Sequence, residues 1–173
     1  EHYTRLFHML IGNHIDFDYG EEQMMEAHAS VARDPDGKPV LRVGQMSYRT
    51  VVVSGMETIR PTTLKLLSDF AAVGGKIIFA GDIPDYVNAV RDTAPMQFAA
   101  EHGICVGMED NELIGALRDV TACPITVTKE DGTAARDVFV QMRNFGNSLG
   151  FVLLNTNRDH PTDALTVTVK CPH

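Results

Sequence analysis

Along the first 123 residues apolar positions recur mainly at helical spacing or as short continuous runs. Beyond Cys123-Pro124 they recur at every second position. Leu6, Phe7, Leu10 and Ile11 predict a helix that Gly12-Asn13 ends. His14 to Tyr19 alternates polar with apolar, which predicts an edge strand with Ile15, Phe17 and Tyr19 on one face and Asp16 and Asp18 on the other. Glu21 to Ala29 reads as a short helix or turn carrying Met24 and Met25. Ser30–Arg33 and Val40–Val43 flank the turn signal Asp34-Pro-Asp-Gly37 and predict a hairpin.

The segment from Tyr48 to Asp82 reads as half of an α/β layer. Tyr48–Ser54 is a predicted strand whose run Val51-Val-Val53 implies burial on both faces. Pro61 suits the first turn of a helix reaching Val73, with Leu64, Leu67, Phe70 and Ala71 facing inward and Gly74-Gly75 as its stop. Lys76–Ala80 then returns as a parallel strand. Asp85–Val90 predicts a short helix, Pro95–Glu101 another, Gly103–Val106 a third buried strand, and Glu109–Val120 a helix with Leu113, Ile114 and Leu117 inward. The period-two segments that follow are Ile125–Thr128, Val138–Arg143, Phe151–Leu154 and Leu165–Val169. The turn residues of Glu130–Gly132, Phe145–Ser148 and Asn157–Pro161 separate them.

The expected fold class is therefore α/β: a doubly wound, mostly parallel sheet in residues 1–123. Residues 124–173 form an antiparallel β segment, part of a following β domain or packed on one. Both ends fall inside predicted elements, so the expectation is a piece of a longer chain.

Composition narrows the function. An apolar fraction of 44 % supports a buried core, and a net charge of −8 spread along the chain argues against nucleic-acid or anionic-membrane partners. No apolar run reaches the roughly 20 residues of a membrane span, and Glu1-His2-Tyr3 opens without a signal-peptide pattern. A soluble domain is expected, with cytoplasmic and exported parents both left open. Cys105, Cys123 and Cys171 are odd in number and lack CxxC spacing, so they predict buried free thiols and no disulfide framework. The seven histidines do not cluster, no metal site or cofactor is predicted, and glycine-rich phosphate loops are missing.

Asp16 and Asp18 on one strand face could hold a divalent cation or serve acid–base chemistry, or be simply the solvent face of an edge strand; the other candidate chemistry falls at three positions. Glu57 and Asp82 follow the C-terminal ends of predicted parallel strands, where open α/β sheets gather ligands. They are candidates for binding a hydroxyl-rich ligand, with helix capping or contact with a neighbouring domain as alternatives. Cys105 sits in Gly103-Ile-Cys-Val-Gly107, which resembles the Gly-x-Cys-x-Gly nucleophile elbow of class I glutamine amidotransferases and makes it an alternative nucleophile. Against that reading, a predicted helix directly precedes Gly103, which places Cys105 within a strand. His160-Pro161-Thr162 lacks the acid of that family's His-Pro-Glu. The element order puts the amidotransferase nucleophile after Lys76–Ala80, where Gly81-Asp82 stands.

Longer phrases extend the resemblance. Ile15–Tyr19, Leu41–Gly44 leading into Tyr48–Val53, Glu57–Leu64 and Gly74–Phe79 resemble the amidotransferase-like accessory domain of multidomain glycoside hydrolases. Val138–Arg143 and Phe151–Thr156 resemble the start of the β domain that follows it. The nearest likeness is to the α-L-rhamnosidase-like family 106 enzymes, and a more remote one is to the β-galactosidase trimerisation domain. The resemblance implies a degenerate, flavodoxin-like domain beside a catalytic (β/α)8 barrel of the same chain. It implies no catalytic residue here, because the two glycosidase carboxylates belong to the barrel. It also implies three roles: bracing the barrel, walling the substrate cleft, or homo-oligomerisation.

Overall fold

A computed structural model describes residues 2–120, 125–146, 148–161 and 164–170. The chain opens with α1 (His2–Gly12), whose buried residues are Leu6, Met9, Leu10 and Gly12. Its end is a left-handed closure centred on His14 (φ 62°). The His14 N–H donates to Ile11 O and the Ile15 N–H to Leu10 O, at 3.1 and 3.0 Å. Residues 15–21 then run without strand pairing, so the expected edge strand is not formed, and Asp16 and Asp18 share no strand face. Alternation alone could not supply a partner strand.

The chain divides into two compact units, Tyr19–Thr121 and Glu1–Asp18 with Ala122–His173. The first begins with α2 (Glu22–His28), capped by the Glu21 carboxylate, which accepts the N–H groups of Gln23 and Met24. An antiparallel sheet follows, with strands β1 (Ala29–Arg33), β2 (Pro39–Val43) and β3 (Met46–Tyr48) in that order. The β1–β2 turn forms where Asp34-Pro-Asp-Gly37 predicts it. Asp34 accepts the N–H groups of Asp36 and Lys38, and Arg49 reaches it at 2.7 Å.

The centre of this unit is a parallel sheet of β4 (Thr50–Ser54), β6 (Lys76–Ala80) and β9 (Ile104–Val106), ordered β4-β6-β9. Val52 pairs with Ile78, and Ile78 with Ile104. Ile77, Ile78, Phe79 and Ala80 are all buried, because β6 has a strand on either side. Val51 and Val52 are only half-buried, and β9 is half-exposed. The two-sided burial expected of these flanking strands is thus restricted to β6, since each of the others has one neighbour.

Between β4 and β6 lie β5 (Thr58–Ile59) and α3 (Pro61–Ala72), with Pro61 in the first helical turn. Thr63, Leu67 and Phe70 are the buried face of α3. The helix stops in a Schellman closure: Gly74 (φ 95°) donates to Ala71 O at 2.8 Å and Gly75 to Phe70 O at 2.9 Å. Phe70 lies so close over Gly75 that a Cβ there would stand 2.4 Å from its ring.

The expected helix over Asp85–Val90 is instead a tiny hairpin of β7 (Tyr86–Val87) and β8 (Val90–Arg91). Asn88 and Ala89 both take positive φ, as a two-residue hairpin turn requires. β7 also pairs in parallel with β5, so tertiary pairing overrides local propensity. After it come α4 (Ala94–His102) and α5 (Asp110–Val120), on either side of β9 in sequence. Phe98 of α4 meets Phe79 edge-on at 6.2 Å, and α5 buries Leu113, Ile114 and Leu117.

The other unit contains α1 and four strands, β10 (Ile125–Thr128), β11 (Val138–Asn144), β12 (Leu149–Asn155) and β13 (Thr166–Val169). They form two antiparallel pairs, β10 with β13 and β11 with β12. Val127, Ala135 and Val138 are its buried centre. The Val127 N–H donates to Nδ1 of buried His14 at 3.4 Å, which ties the N-terminal segment to strands more than a hundred residues away. The sequence grouping placed those first eighteen residues with the α/β layer.

Two glycines test the packing. Gly75→Ala drives a methyl into the Phe70 ring, and a loss of about 1–3 kcal/mol is expected from such overpacking. Gly115→Ala, inside α5, meets no atom within 4 Å and is expected to gain about 0.5–1 kcal/mol from helix propensity. Urea denaturation of both variants checks the contrast.

Candidate functional site

The C-terminal ends of β4, β6 and β9 are where a parallel sheet gathers a ligand. Here Met108 lies against that place, while Gly81 and Asp82 at its rim are exposed. Ser54, the last residue of β4, is buried, and its Oγ–H donates to Ala80 O at 2.9 Å. The same oxygen lies 3.3 Å from Sδ of Met108. Gly81, directly after β6, donates its N–H to Val106 O at 2.9 Å and has φ 82°. A Cβ at Gly81 would stand 2.9 Å from Cγ of Met108. Next to it, the Gly107 N–H donates to the Glu112 carboxylate at 2.7 Å. The turn is thus stitched to its neighbours, with Met108 lying against the point from which a side chain would project.

Glu57 and Asp82 sit in the loops after β4 and β6, and both are exposed. Neither makes a hydrogen bond or ion pair among the described residues. Neither caps a helix: the Arg60 N–H at the start of α3 goes to Glu22 Oε1 at 2.9 Å, and Arg60 pairs with Glu26 at 3.2 Å.

Cys105 lies in the middle of β9, opposite Phe79, where the sequence placed it relative to α4. Its thiol is exposed rather than buried, because β9 is an edge of the sheet. Its Sγ approaches Ala99 O at 3.9 Å. The nearby His102 tilts against Phe98, and its Nε2 stands 3.7 Å from a Glu101 carboxylate oxygen. Cys123 and Cys171 lie outside the described residues. Among the described residues no cluster of three or more His, Cys, Asp or Glu side chains could hold a metal ion.

A second concavity, which sequence reasoning missed, lies in the other unit. It encloses about 400 Å³ between two turns, with Lys129, Asp131, Asp137, Asn157 and His160 around it and Val138 and Leu165 beneath. Asp131 Oδ1 accepts both the N–H and the hydroxyl of Thr133, at 2.9 and 2.6 Å. Those two bonds hold its carboxyl below the ordinary range. Asn157 Oδ1 accepts the N–H groups of Asp159 and His160, and Asp137 O accepts both the N–H and the hydroxyl of Thr156. The walls are braced by these turn hydrogen bonds and carry both signs of charge. Each turn was legible as a turn. Their convergence depends on the pairing of β11 with β12, which the turn residues do not encode.

The class this fold defines is a mixed α/β protein with a three-stranded parallel sheet and several smaller sheets. Compared with family models, curated proteins and solved structures, the chain matches none. No described helix is long and apolar enough to cross a membrane.

The contact of Gly81 with Met108 can be measured by a double-mutant cycle. Gly81→Ala should lose about 1–2 kcal/mol for a left-handed backbone and about 1–3 kcal/mol more for its clash with Met108. Adding Met108→Ala should relieve only the clash, which appears as a favourable coupling energy. For Asp131, whose folded pKa is depressed, the stabilisation of its turn is complete above the ordinary carboxylate pKa. It is lost as pH falls through the lowered value. Carbon-13 titration should show that Thr133→Ala moves the Asp131 midpoint upward.

Proposed function

We propose that this chain is a non-catalytic accessory domain of degenerate, flavodoxin-like amidotransferase type, working within a multidomain glycoside hydrolase. The observation that carries the non-catalytic part is Gly81 beneath Met108. At the turn after β6, where the amidotransferase order of elements expects a nucleophile, there is no side chain, and Met108 fills the room for one. The doubly wound flavodoxin-like arrangement is the reading that three parallel strands with intervening helices favour. The glycoside hydrolase context rests on the sequence phrases, and the two carboxylates of such chemistry would come from a neighbouring barrel.

A domain of this kind acts through its surfaces. Val152 and Leu154 on β12 and Phe145 beside it are 59 %, 60 % and 71 % exposed, which fits docking better than solvation. Glu57 and Asp82, exposed and unengaged, are the positions from which it would face a hydroxyl-rich ligand or an adjoining domain.

The test pairs the chain with the longer parent on a panel of nitrophenyl glycosides, α-L-rhamnoside included, and treats the chain with an electrophilic glutamine analogue. The expected outcome is turnover by the parent, none by the chain, and labelling of Cys105 no faster than that of a free cysteine. Glycoside turnover by the chain alone, or rapid stoichiometric labelling of Cys105, would refute the accessory role.

A further inference from the structure

The open edge of β12 carries an inference of its own. We propose that β12 pairs antiparallel with β12 of a second copy of this chain, about a two-fold axis through Val152.

The argument starts from the hairpin register. Asn144 faces Leu149 and Val138 faces Asn155. The Phe145 N–H donates to Ser148 O, and the Thr156 N–H to Asp137 O. Because hydrogen-bonded and non-bonded pairs alternate along an antiparallel ladder, positions 150, 152 and 154 bond to β11. Leu149, Phe151, Leu153 and Asn155 turn their N–H and C=O groups the other way. Among the described residues β12 pairs with β11 alone, so that row is unpaired.

An exposed strand edge is a template for another strand. Natural edges are guarded by charges, prolines or bulges, whereas β12 reads Leu-Gly-Phe-Val-Leu-Leu-Asn and contains neither charge nor proline. The occupant follows from self-complementarity. Across a two-fold axis every residue meets a symmetry mate, so a charged strand would oppose its own charges. β12 has none to oppose, although the whole chain carries −8.

Only the axis through Val152 overlaps all seven residues. It sets Phe151 against Leu153 and Leu149 against Asn155 of the other copy, and all four of these positions have outward N–H and C=O groups. About eight backbone hydrogen bonds result, two for each of four bonded pairs. The same register places Gly150 opposite Leu154, small against large.

The experiment is light scattering on the chain across a dilution series, with three variants. Leu153→Pro removes an outward N–H without touching the β11 ladder. Val152→Lys brings two charges together at the axis. Val152→Cys, in a background with Cys105, Cys123 and Cys171 changed to serine, should cross-link on mild oxidation, because non-bonded pairs stand about 4.5 Å apart. The expected result is a mass about twice 19.0 kDa for the unsubstituted chain. Leu153→Pro and Val152→Lys should be monomeric with unchanged circular dichroism, and Val152→Cys should be a covalent dimer. A monomeric unsubstituted chain overturns the proposal. So does a dimer that survives both Leu153→Pro and Val152→Lys, a Val152→Cys variant that does not cross-link, or open-ended growth with concentration.

Discussion

The parallel pairing of Val51–Ser54 with Ile77–Ala80 is the constraint on which the Tyr19–Thr121 unit depends. Parallel strands cannot be joined by a tight turn, so the chain must travel back along the sheet before it can pair again. That journey is α3. Its apolar face has to cover the sheet it crosses, hence Leu67 and Phe70, and it must stop at a defined residue for Lys76 to enter in register. The stop is made twice over: Gly74 supplies the left-handed turn and Gly75 the space beneath Phe70. Phe70, Ile77, Phe79 and Phe98 then share one core, so the same ring that seals the helix end also packs the central strand.

The strand-end turn inherits its geometry from that register. With β4, β6 and β9 level, Ser54, Ala80 and Val106 end together, and the Gly81 N–H completes the bond to Val106 O. Met108, on the segment leading into α5, lies against Ser54 and Gly81 at that edge. A long, unbranched, polarizable side chain suits an irregular gap.

Much of this was legible from the residues. The apolar run Ile77-Ile-Phe79, Pro61 opening a helix and Gly74-Gly75 closing it each carry a mechanism, and β6 and α3 stand where those signals put them. Asp34-Pro-Asp-Gly37 likewise fixed a hairpin. What failed was context. His14–Tyr19 alternates as a strand does, yet among the described residues no strand pairs with it. Asp85–Val90 carries no local mark of a hairpin. Its shape comes from pairing with Thr58-Ile59, from the Ala89 N–H bonded to Thr58, and from the Asp85–Arg91 ion pair at 2.9 Å. For the sites, Glu57, Asp82 and Cys105 were placed correctly on their elements. The exposure of Cys105 and the groove at Asp131 and Asn157 depend on which strands are neighbours, and a linear reading of apolar period does not contain that.

The contact of Met108 with Gly81 also bears on how far such a turn stands from chemistry. A nucleophile at position 81 would have to hold a side chain at φ 82°, a cost of about 1–2 kcal/mol for any residue with a Cβ. Nucleophile elbows sustain strain of that order because the surrounding structure over-determines the turn. Here the surroundings point the other way: Met108 stands where a Cβ would project, and the Ser54 hydroxyl donates to Ala80 O. The thiol at Cys105 lies within an edge strand rather than on the turn after a strand. Placing a nucleophile at this turn would therefore take coordinated changes at 81, at 108 and in a partner base. The turn is held both by the Gly81 N–H bond to Val106 O and by its contact with Met108, so Gly81 and Met108 should vary together rather than one at a time.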